Sequence, residues 1–374
     1  MRFMCSEGQA LSGATINELA RRAGVSRATI ARIVNTDVQY NRPAFARRAE
    51  KIRRLASQMG YRPNAAAKAM STGRFQNIGL LMGVHYERSN FTRELLRGIH
   101  DVLNLHEFHL TIHFLTDEQL EDEQNLPRFI REQMVDGLLL NYTHDIPQHM
   151  QHAIERAGLP VVWVNVKRAS GCVYPDDTDA GRQAVTFLTQ LGHRRIAFAD
   201  FLHGPGNNFQ PHYSVVDRLK GYAAAMIDAG LKPQVIDVPQ LLPGPEAVRT
   251  AVAVLHQQDR PTAVVCQSPR DASVFEVAAA RVGLGIPADL SLIVFGGERQ
   301  SNAVTDPTLL VEPREAMGRA AAESLLKCLD TPEALCPSHK VHYSLQPGQT
   351  TSSPAFSSVV SHPVRTLSSA ARPR

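Results

Sequence analysis

Thr15-Ile16-Asn17-Glu18-Leu19-Ala20-Arg21-Arg22-Ala23-Gly24-Val25-Ser26-Arg27-Ala28-Thr29-Ile30-Ala31-Arg32-Ile33-Val34-Asn35 decides how the chain begins. Thr15 can accept from the amides of the opening turn, and Glu18, three residues on, can reach back to cap Thr15, which is a capping box. Ile16, Leu19, Ala20 and Ala23 share one face at helical spacing, with Arg21 and Arg22 outside it. Gly24 supplies a positive-φ turn, Val25 plugs it, and Ser26 is the next N-cap. A second helix is expected from Arg27 to Asn35, with Ile30, Ile33 and Val34 facing inward. Its outer side holds Arg27, Ala28, Thr29 and Arg32, small or donor-bearing residues suited to a major groove. Helix, tight turn and recognition helix together predict a sequence-specific DNA-binding head.

A third helix is expected from Pro43 to Met59, with Phe45, Ala49, Ile52 and Leu55 for packing and Gly60 ending it. Arg47, Arg48, Lys51, Arg53 and Arg54 are left for solvent. Between Thr15 and Phe75 there are 13 Lys and Arg against 3 Asp and Glu, a net of +10, so the rest of a chain of net +4 carries −6. The basic excess is therefore local to the head, as phosphate contact and counterion release require. Tyr61 to Gly73 follows, alanine-rich with an early Pro63 and a closing Gly73; by composition it could be a passive linker.

From Asn77 the pattern changes to apolar strands alternating with amphipathic helices. Strands are expected at Ile78–Met82, His109–Leu115, Gly137–Leu140, Pro160–Val164, Arg195–Asp200, Gln234–Val238, Ala263–Cys266 and Ser291–Phe295. Helices are expected at Arg93–Leu105, Leu126–Gln133, Ile146–Ala157, Ala180–Leu191, Val216–Ala229, Pro245–His256, Ala272–Val282 and Glu315–Cys328. This beat implies parallel sheets covered on both faces, in two open α/β subdomains. Ligands of such folds sit beyond the carboxyl ends of the strands, here in a cleft between lobes.

The runs Ala14-Thr15-Ile16, Ala23-Gly24-Val25-Ser26, Thr29-Ile30, Arg32-Ile33-Val34-Asn35, Gly60-Tyr61-Arg62-Pro63-Asn64-Ala65, Gly73-Arg74 and Ile78-Gly79-Leu80-Leu81 resemble the lactose-repressor/galactose-repressor (LacI/GalR) family. Gly192-His193-Arg194-Arg195-Ile196-Ala197 and Arg218-Leu219-Lys220-Gly221-Tyr222 extend the resemblance to nearly the whole chain. It implies an α-helical helix-turn-helix DNA-binding head joined to an α/β, periplasmic-binding-protein-like effector domain. The alanine-rich piece becomes a hinge helix that folds on DNA, pairs with its dimer mate and wedges an apolar side chain into the minor groove. Carried over residue by residue, Arg27 and Ala28 vary with operator sequence, Thr29 and Arg32 make further groove or phosphate contacts, and Asn64, Ala65 and Lys68 are hinge contacts. Met70 stands where the family usually has Leu and would be the wedge. Thr15, Ser26 and Asn35 complete the expected DNA-binding set.

For the effector, the resemblance points to Asn165 at the end of its strand and to Arg218. Asp176 and Asp177 open the first crossover, one expected to face the ligand and the other to cap the next helix, with no ranking between them. Tyr86 and Phe91 are expected either as an apolar floor of the site or as core packing, and Gly296 as a cleft-side position. Two acidic positions usual in the family are absent, since Ser268-Pro269 and Phe295-Gly296-Gly297 stand there. That departure argues against a typical neutral monosaccharide, unless Glu298 or Arg270 substitutes from nearby.

An enzyme, such as a sugar-processing α/β protein, is the main competing reading, and a solute-binding protein is the third, each with DNA binding incidental. Gly79 and Gly83 do not make the nucleotide fingerprint, no Gly-x-Ser-x-Gly elbow occurs, and His109 with His113 lacks the Glu a metalloprotease needs. No cofactor or metal is expected. Five cysteines, at 5, 172, 266, 328 and 336, show no close pair, which fits a reducing cytoplasm. The opening residues hold no apolar signal core, and no run reaches transmembrane length, so no membrane partner is expected. Boundaries are expected at 1–13 for a loose extension, 14–60 for the head, 61–76 for the hinge, 77–351 for the effector and dimerisation domain, and 352–374 for a disordered tail. Lobe crossovers are expected near 176–181, 309–313 and 328–340. Without heptads in the tail no tetramer-forming coil is expected, and a homodimer should meet a palindromic DNA operator.

Overall fold

The computed structural model of the chain describes residues 14–34, 42–62, 69, 73–84, 89, 91–116, 128–132, 134–142, 148–203, 211–237, 244–297, 306–331 and 335–354. The head consists of α1 (Ile16–Ala23), α2 (Arg27–Val34) and α3 (Pro43–Gln58). The capping box forms as expected: Thr15 N–H donates to Glu18 Oε2 at 2.8 Å, and Glu18 N–H to Thr15 Oγ1 at 3.3 Å. Gly24 turns the chain in the left-handed region at φ 63°, a conformation that costs a side-chain-bearing residue more. Leu19, Ala20, Ile30, Ile33, Ala49, Ile52 and Ala56 close the core, and Arg53 Nε ties α3 to the Ile33 carbonyl at 3.2 Å.

Two six-stranded sheets follow. The first lobe is built on β1 (Asn77–Gly83), β2 (His109–Leu115), β3 (Gly137–Asn141), β4 (Val161–Val164), β5 (Cys172–Pro175) and β11 (His339–Val341), in the order β11-β5-β4-β3-β1-β2. The second holds β6 (Ile196–Asp200), β7 (Gln234–Asp237), β8 (Ala263–Cys266), β9 (Ser291–Gly296), β10 (Thr308–Val311) and β12 (Ser344–Gln346), in the order β12-β10-β9-β8-β6-β7. All pairings are parallel except β10 with β12. Each lobe reverses strand order beside its first strand, which opens a crevice at the carboxyl ends of the strands.

Helices cover both faces: α4 (Arg93–Leu105), α5 (Arg128–Arg131), α6 (Gln148–Arg156) and α11 (Arg314–Asp330) on the first lobe; α7 (Asp177–Gln190), α8 (Tyr213–Asp228), α9 (Gly244–Leu255) and α10 (Pro269–Arg281) on the second. The strands read as unbroken apolar runs because both faces are buried. Thus Ile78, Leu80 and Met82 pack under α4 and α11, while Leu81 joins Leu138, Leu140 and Trp163 on the opposite face. In each lobe one helix pair crosses at glycines. A Cβ on Gly98 would stand 2.1 Å from the Glu315 carbonyl oxygen, and one on Gly221 would stand 1.9 Å from that of Thr178.

Several expectations are corrected. Three helices begin three residues earlier than expected, at Asp177, Tyr213 and Pro269, because Asp176, His212 and Ser268 cap them ahead of their apolar stripes. β5, β10 and β11 were not expected; each has three or four residues, too short to show a period. The crossings fall at Asp176, at Glu312–Pro313 and at His342–Tyr343, so the last lies beyond the expected 328–340. The chain is also held past 351. Ser352 N–H donates to Ser291 Oγ at 3.1 Å, and His193 Nε2 lies 2.8 Å from the Ser352 carbonyl oxygen. The expected disordered tail therefore begins no earlier than 355, outside the described residues. Cys328 and Cys336, expected to be unpaired, are joined as a disulfide with Cα atoms 5.6 Å apart, because the chain doubles back after α11.

Candidate ligand cleft and nucleic-acid interface

The cleft is organised by α8, whose first two turns touch both lobes. His212 caps it: its Nδ1 accepts from Ser214 N–H, while Nε2 donates 3.0 Å to the Asn165 carbonyl oxygen. Tyr213 then donates its hydroxyl to Asn165 Oδ1 at 2.9 Å. Asn165 sits at φ 62°, a left-handed turn that Asn tolerates better than most side chains. The strand end expected to face the cleft thus does meet the second lobe, through both its backbone and its amide.

Arg218 lies one turn further along α8. Its Nε donates to Asp177 Oδ1 at 2.8 Å and its Nη2 to the Tyr343 hydroxyl at 2.8 Å, while its guanidinium carbon lies 4.6 Å from the centroid of the Phe295 ring. Tyr343 in turn donates to Asp177 Oδ1 at 2.7 Å. This separates the two aspartates. Asp176 is the helix cap, accepting from Asp179 N–H at 3.2 Å, and Asp177 is the buried partner of Arg218. Burial pushes the Asp177 carboxyl above its ordinary range, a shift that Arg218 opposes. Among the described residues, Asp177 Oδ2 and Gln267 Oε1 are buried with no hydrogen-bond partner, and Arg218 Nη1 donates to the Gln267 backbone carbonyl oxygen at 3.4 Å.

Charges around the cleft are matched. Arg218 faces Asp177, Lys340 stands 3.2 Å from Asp176, and Arg314 stands 3.0 Å from Glu312. Lys167 pairs with Asp217. Ser268, where the family usually has a polar pair, caps α10 and donates to Asp271 Oδ2 at 2.6 Å. Asp271 is fully buried, and that burial raises its carboxyl to about 6 despite Ser268 and the Phe201 amide. Arg270 is drawn toward the Phe201 carbonyl oxygen at 3.4 Å. Gly296 ends β9 beside Pro269, and Phe91 packs against the first lobe's core. Tyr86 and Glu298 lie outside the described residues.

In the head, Thr15, Ser26, Arg27, Ala28 and Arg32 are exposed and Thr29 is half-buried. Ser26 Oγ accepts from Thr29 N–H at 3.2 Å, so its hydroxyl is used as a cap, while Arg32 lies over the Phe45 ring at 5.6 Å. Arg27, Ala28 and Arg32 therefore share the open side of α2. Asn35, Asn64, Ala65, Lys68 and Met70 lie outside the described residues. Ahead of β1, Arg74 Nη2 donates to the Leu329 carbonyl at 2.9 Å and Nη1 reaches Asp330 at 3.3 Å, joining this stretch of chain to α11.

Lys167, His212, Tyr213, Asp217, Gln267 and Tyr343 were not expected in the cleft. Only the Arg-x-x-Gly-Tyr run, which brings α8 to the cleft, carried a signal for Tyr213 and Asp217.

The periplasmic binding protein-like domain family matches residues 185–351. The HTH-type transcriptional regulator GntR of Escherichia coli (strain K12) is 30% identical over 321 residues, covering 83% of this chain and 90% of the relative. Catabolite control protein A of Priestia megaterium is 28% identical over 84% of this chain and 92% of its own length. Among solved structures, the lac repressor dimer bound to operator and the anti-inducer ONPF matches with TM-score 0.66 at 19% identity, over 91% of this chain and all of that one. The CelR–cellobiose complex matches with TM-score 0.57 at 23% identity, over 90% of this chain and 99% of that one.

Proposed function

Because this chain belongs to the LacI/GalR family of helix-turn-helix transcriptional regulators, we propose that its head binds a palindromic operator under the control of a ligand in the cleft around Arg218. It is a DNA-binding regulator governed by a small-molecule effector. Its relatives are regulators and not enzymes. Arg27, Ala28, Thr29 and Arg32 read the major groove, with Thr15, Ser26 and Asn35 positioning the head, and Asn64, Ala65, Lys68 and Met70 work in the minor groove. Ala28 offers only a methyl contact, so Arg27 and Arg32 carry more of the discrimination.

The observation that carries the effector reading is the pair of buried, unpartnered acceptors, Asp177 Oδ2 and Gln267 Oε1, on the two residues that Arg218 bonds, with Arg218 already neutralised by Asp177. With these cations matched to carboxylates, the cleft favours an uncharged, hydroxyl-rich ligand that donates to both oxygens. This offsets the two missing family carboxylates, and a carbohydrate or related metabolite fits. We propose Asn165, Asp176 and Gly296, with Tyr86 and Phe91, as further effector contacts.

A homodimer is supported by the edge strand β2, where Ile112 is 40% and Phe114 55% exposed on the face also lined by Ile78, Leu80 and Met82. An uncovered apolar edge of this kind invites a second copy. The experiment is selection of binding sites from random duplex DNA by purified full-length protein. An enriched palindrome is the expected result, and enrichment of single asymmetric half-sites contradicts the dimeric reading.

A further inference from the structure

We propose that Lys167 and Asp217 form a positioning pair that holds the cleft closed before any ligand arrives. Lys167 lies two residues beyond Asn165, whose left-handed turn directs the chain toward the second lobe. Its ammonium bonds the Asp217 carboxylate on α8, immediately before Arg218. The same nitrogen lies 4.9 Å from the ring centroid of Tyr213 and 5.4 Å from that of Tyr174, and the two rings meet edge to face at 6.3 Å. Tyr174 belongs to the first lobe, Tyr213 and Asp217 to the second. One cation, its side chain still 38% exposed, thus lies against a carboxylate and two aromatic faces drawn from both lobes, an arrangement that exists only when the lobes are together. Partial burial pulls the Lys167 ammonium below its ordinary value, a shift that the Asp177 charge opposes.

The consequence follows from charge. Removing Lys167 leaves the Asp217 carboxylate buried without its counter-ion, and the cheapest relief is to separate the lobes and rehydrate it, while removing Asp217 takes away the attraction that draws the exposed Lys167 to the second lobe. A ligand that enters between Asn165 and Arg218 must work against or with this pair, so Lys167 and Asp217 set the free-energy cost of closure. The inference rests on the cleft being where control enters, but its test needs neither DNA nor ligand. Its failure therefore leaves the binding-site selection untouched.

The test is hydrogen exchange by mass spectrometry on the full chain, following residues 165–171 and 212–218. Trp163, the chain's single tryptophan, is 7% exposed and covered by Arg168 at 4.4 Å, and its emission reports that the first lobe stays folded. Lys167→Met and Asp217→Asn are each expected to speed exchange in both segments at unchanged Trp163 emission. The charge exchange Lys167→Asp with Asp217→Lys is expected to slow it again. Wild-type protein in rising salt, which requires no variant to fold, should show faster exchange in the same two segments. Exchange in the single variants equal to wild type overturns the proposal, as does a charge-exchanged double as open as the singles, or a wild-type protein indifferent to salt.

Discussion

Arg218 Nε lies 2.8 Å from Asp177 Oδ1, between the first turn of α7 and the second of α8, with Tyr343 from the last lobe crossing donating to the same oxygen. A salt bridge at this depth, with Asp177 fully buried and Arg218 only 12% exposed, depends on both partners. Asp177→Asn keeps the shape and removes the charge, which strands a buried guanidinium. It should cost about 3–5 kcal/mol of stability, read as a fall in the urea midpoint. An Asp177→Asn with Arg218→Met double that loses no more than either single variant identifies the pair as the unit.

Gly221 makes that geometry possible. A Cβ there would stand 1.9 Å from the Thr178 carbonyl oxygen, so Gly221→Ala must push α8 off α7. Overpacking of this kind costs about 1–3 kcal/mol or more. Because α8 carries Arg218, any effector found should also bind more weakly to Gly221→Ala. Calorimetric melting and titration of that effector check both parts, and an unchanged melting temperature contradicts the packing.

Asp271 makes stability depend on pH. Burial raises its carboxyl to about 6 in the folded chain from the ordinary 3.8 it has when unfolded, so the folded state binds the extra proton between those values. Stability from this group is therefore present below about pH 4 and lost as pH rises through 6, by on the order of 3 kcal/mol. Asp271→Asn should flatten that fall. Denaturant midpoints at pH 4.5 and 7 for both proteins provide the check, and parallel profiles contradict it.

Arg32 is exposed on the outer face of α2, over Phe45. Arg32→Ala should remove operator discrimination while leaving weak, salt-sensitive binding, with a loss of about 1–3 kcal/mol at the best site. Quantitative binding to the selected palindrome and to scrambled duplex measures it. Equal preference in variant and wild type removes Arg32 from the recognition surface.

Local chemistry was enough to read the head. Thr15 and Glu18 form their capping box and Gly24 makes its left-handed turn, because each depends on residues within four positions, and the apolar faces that helical spacing marks on α1 to α3 close on one another. The alternation of apolar strands and helices likewise declared two open parallel sheets, since a strand buried on both faces must be apolar throughout. The division of labour between Asp176 and Asp177 was not legible, because either adjacent carboxylate could cap the helix locally until tertiary structure brings Arg218 to Asp177 and leaves the cap on Asp179 N–H to Asp176. Lys167, Asp217 and Tyr343 were hidden for the same reason: their partners lie 50 to 166 residues away. Periodicity and capping are properties of neighbouring residues, so the sequence by itself determined the elements and the kind of domain they build. A cleft is made where distant strand ends converge, and only the tertiary structure decided which side chains meet there, which charges cancel and which acceptors stay open.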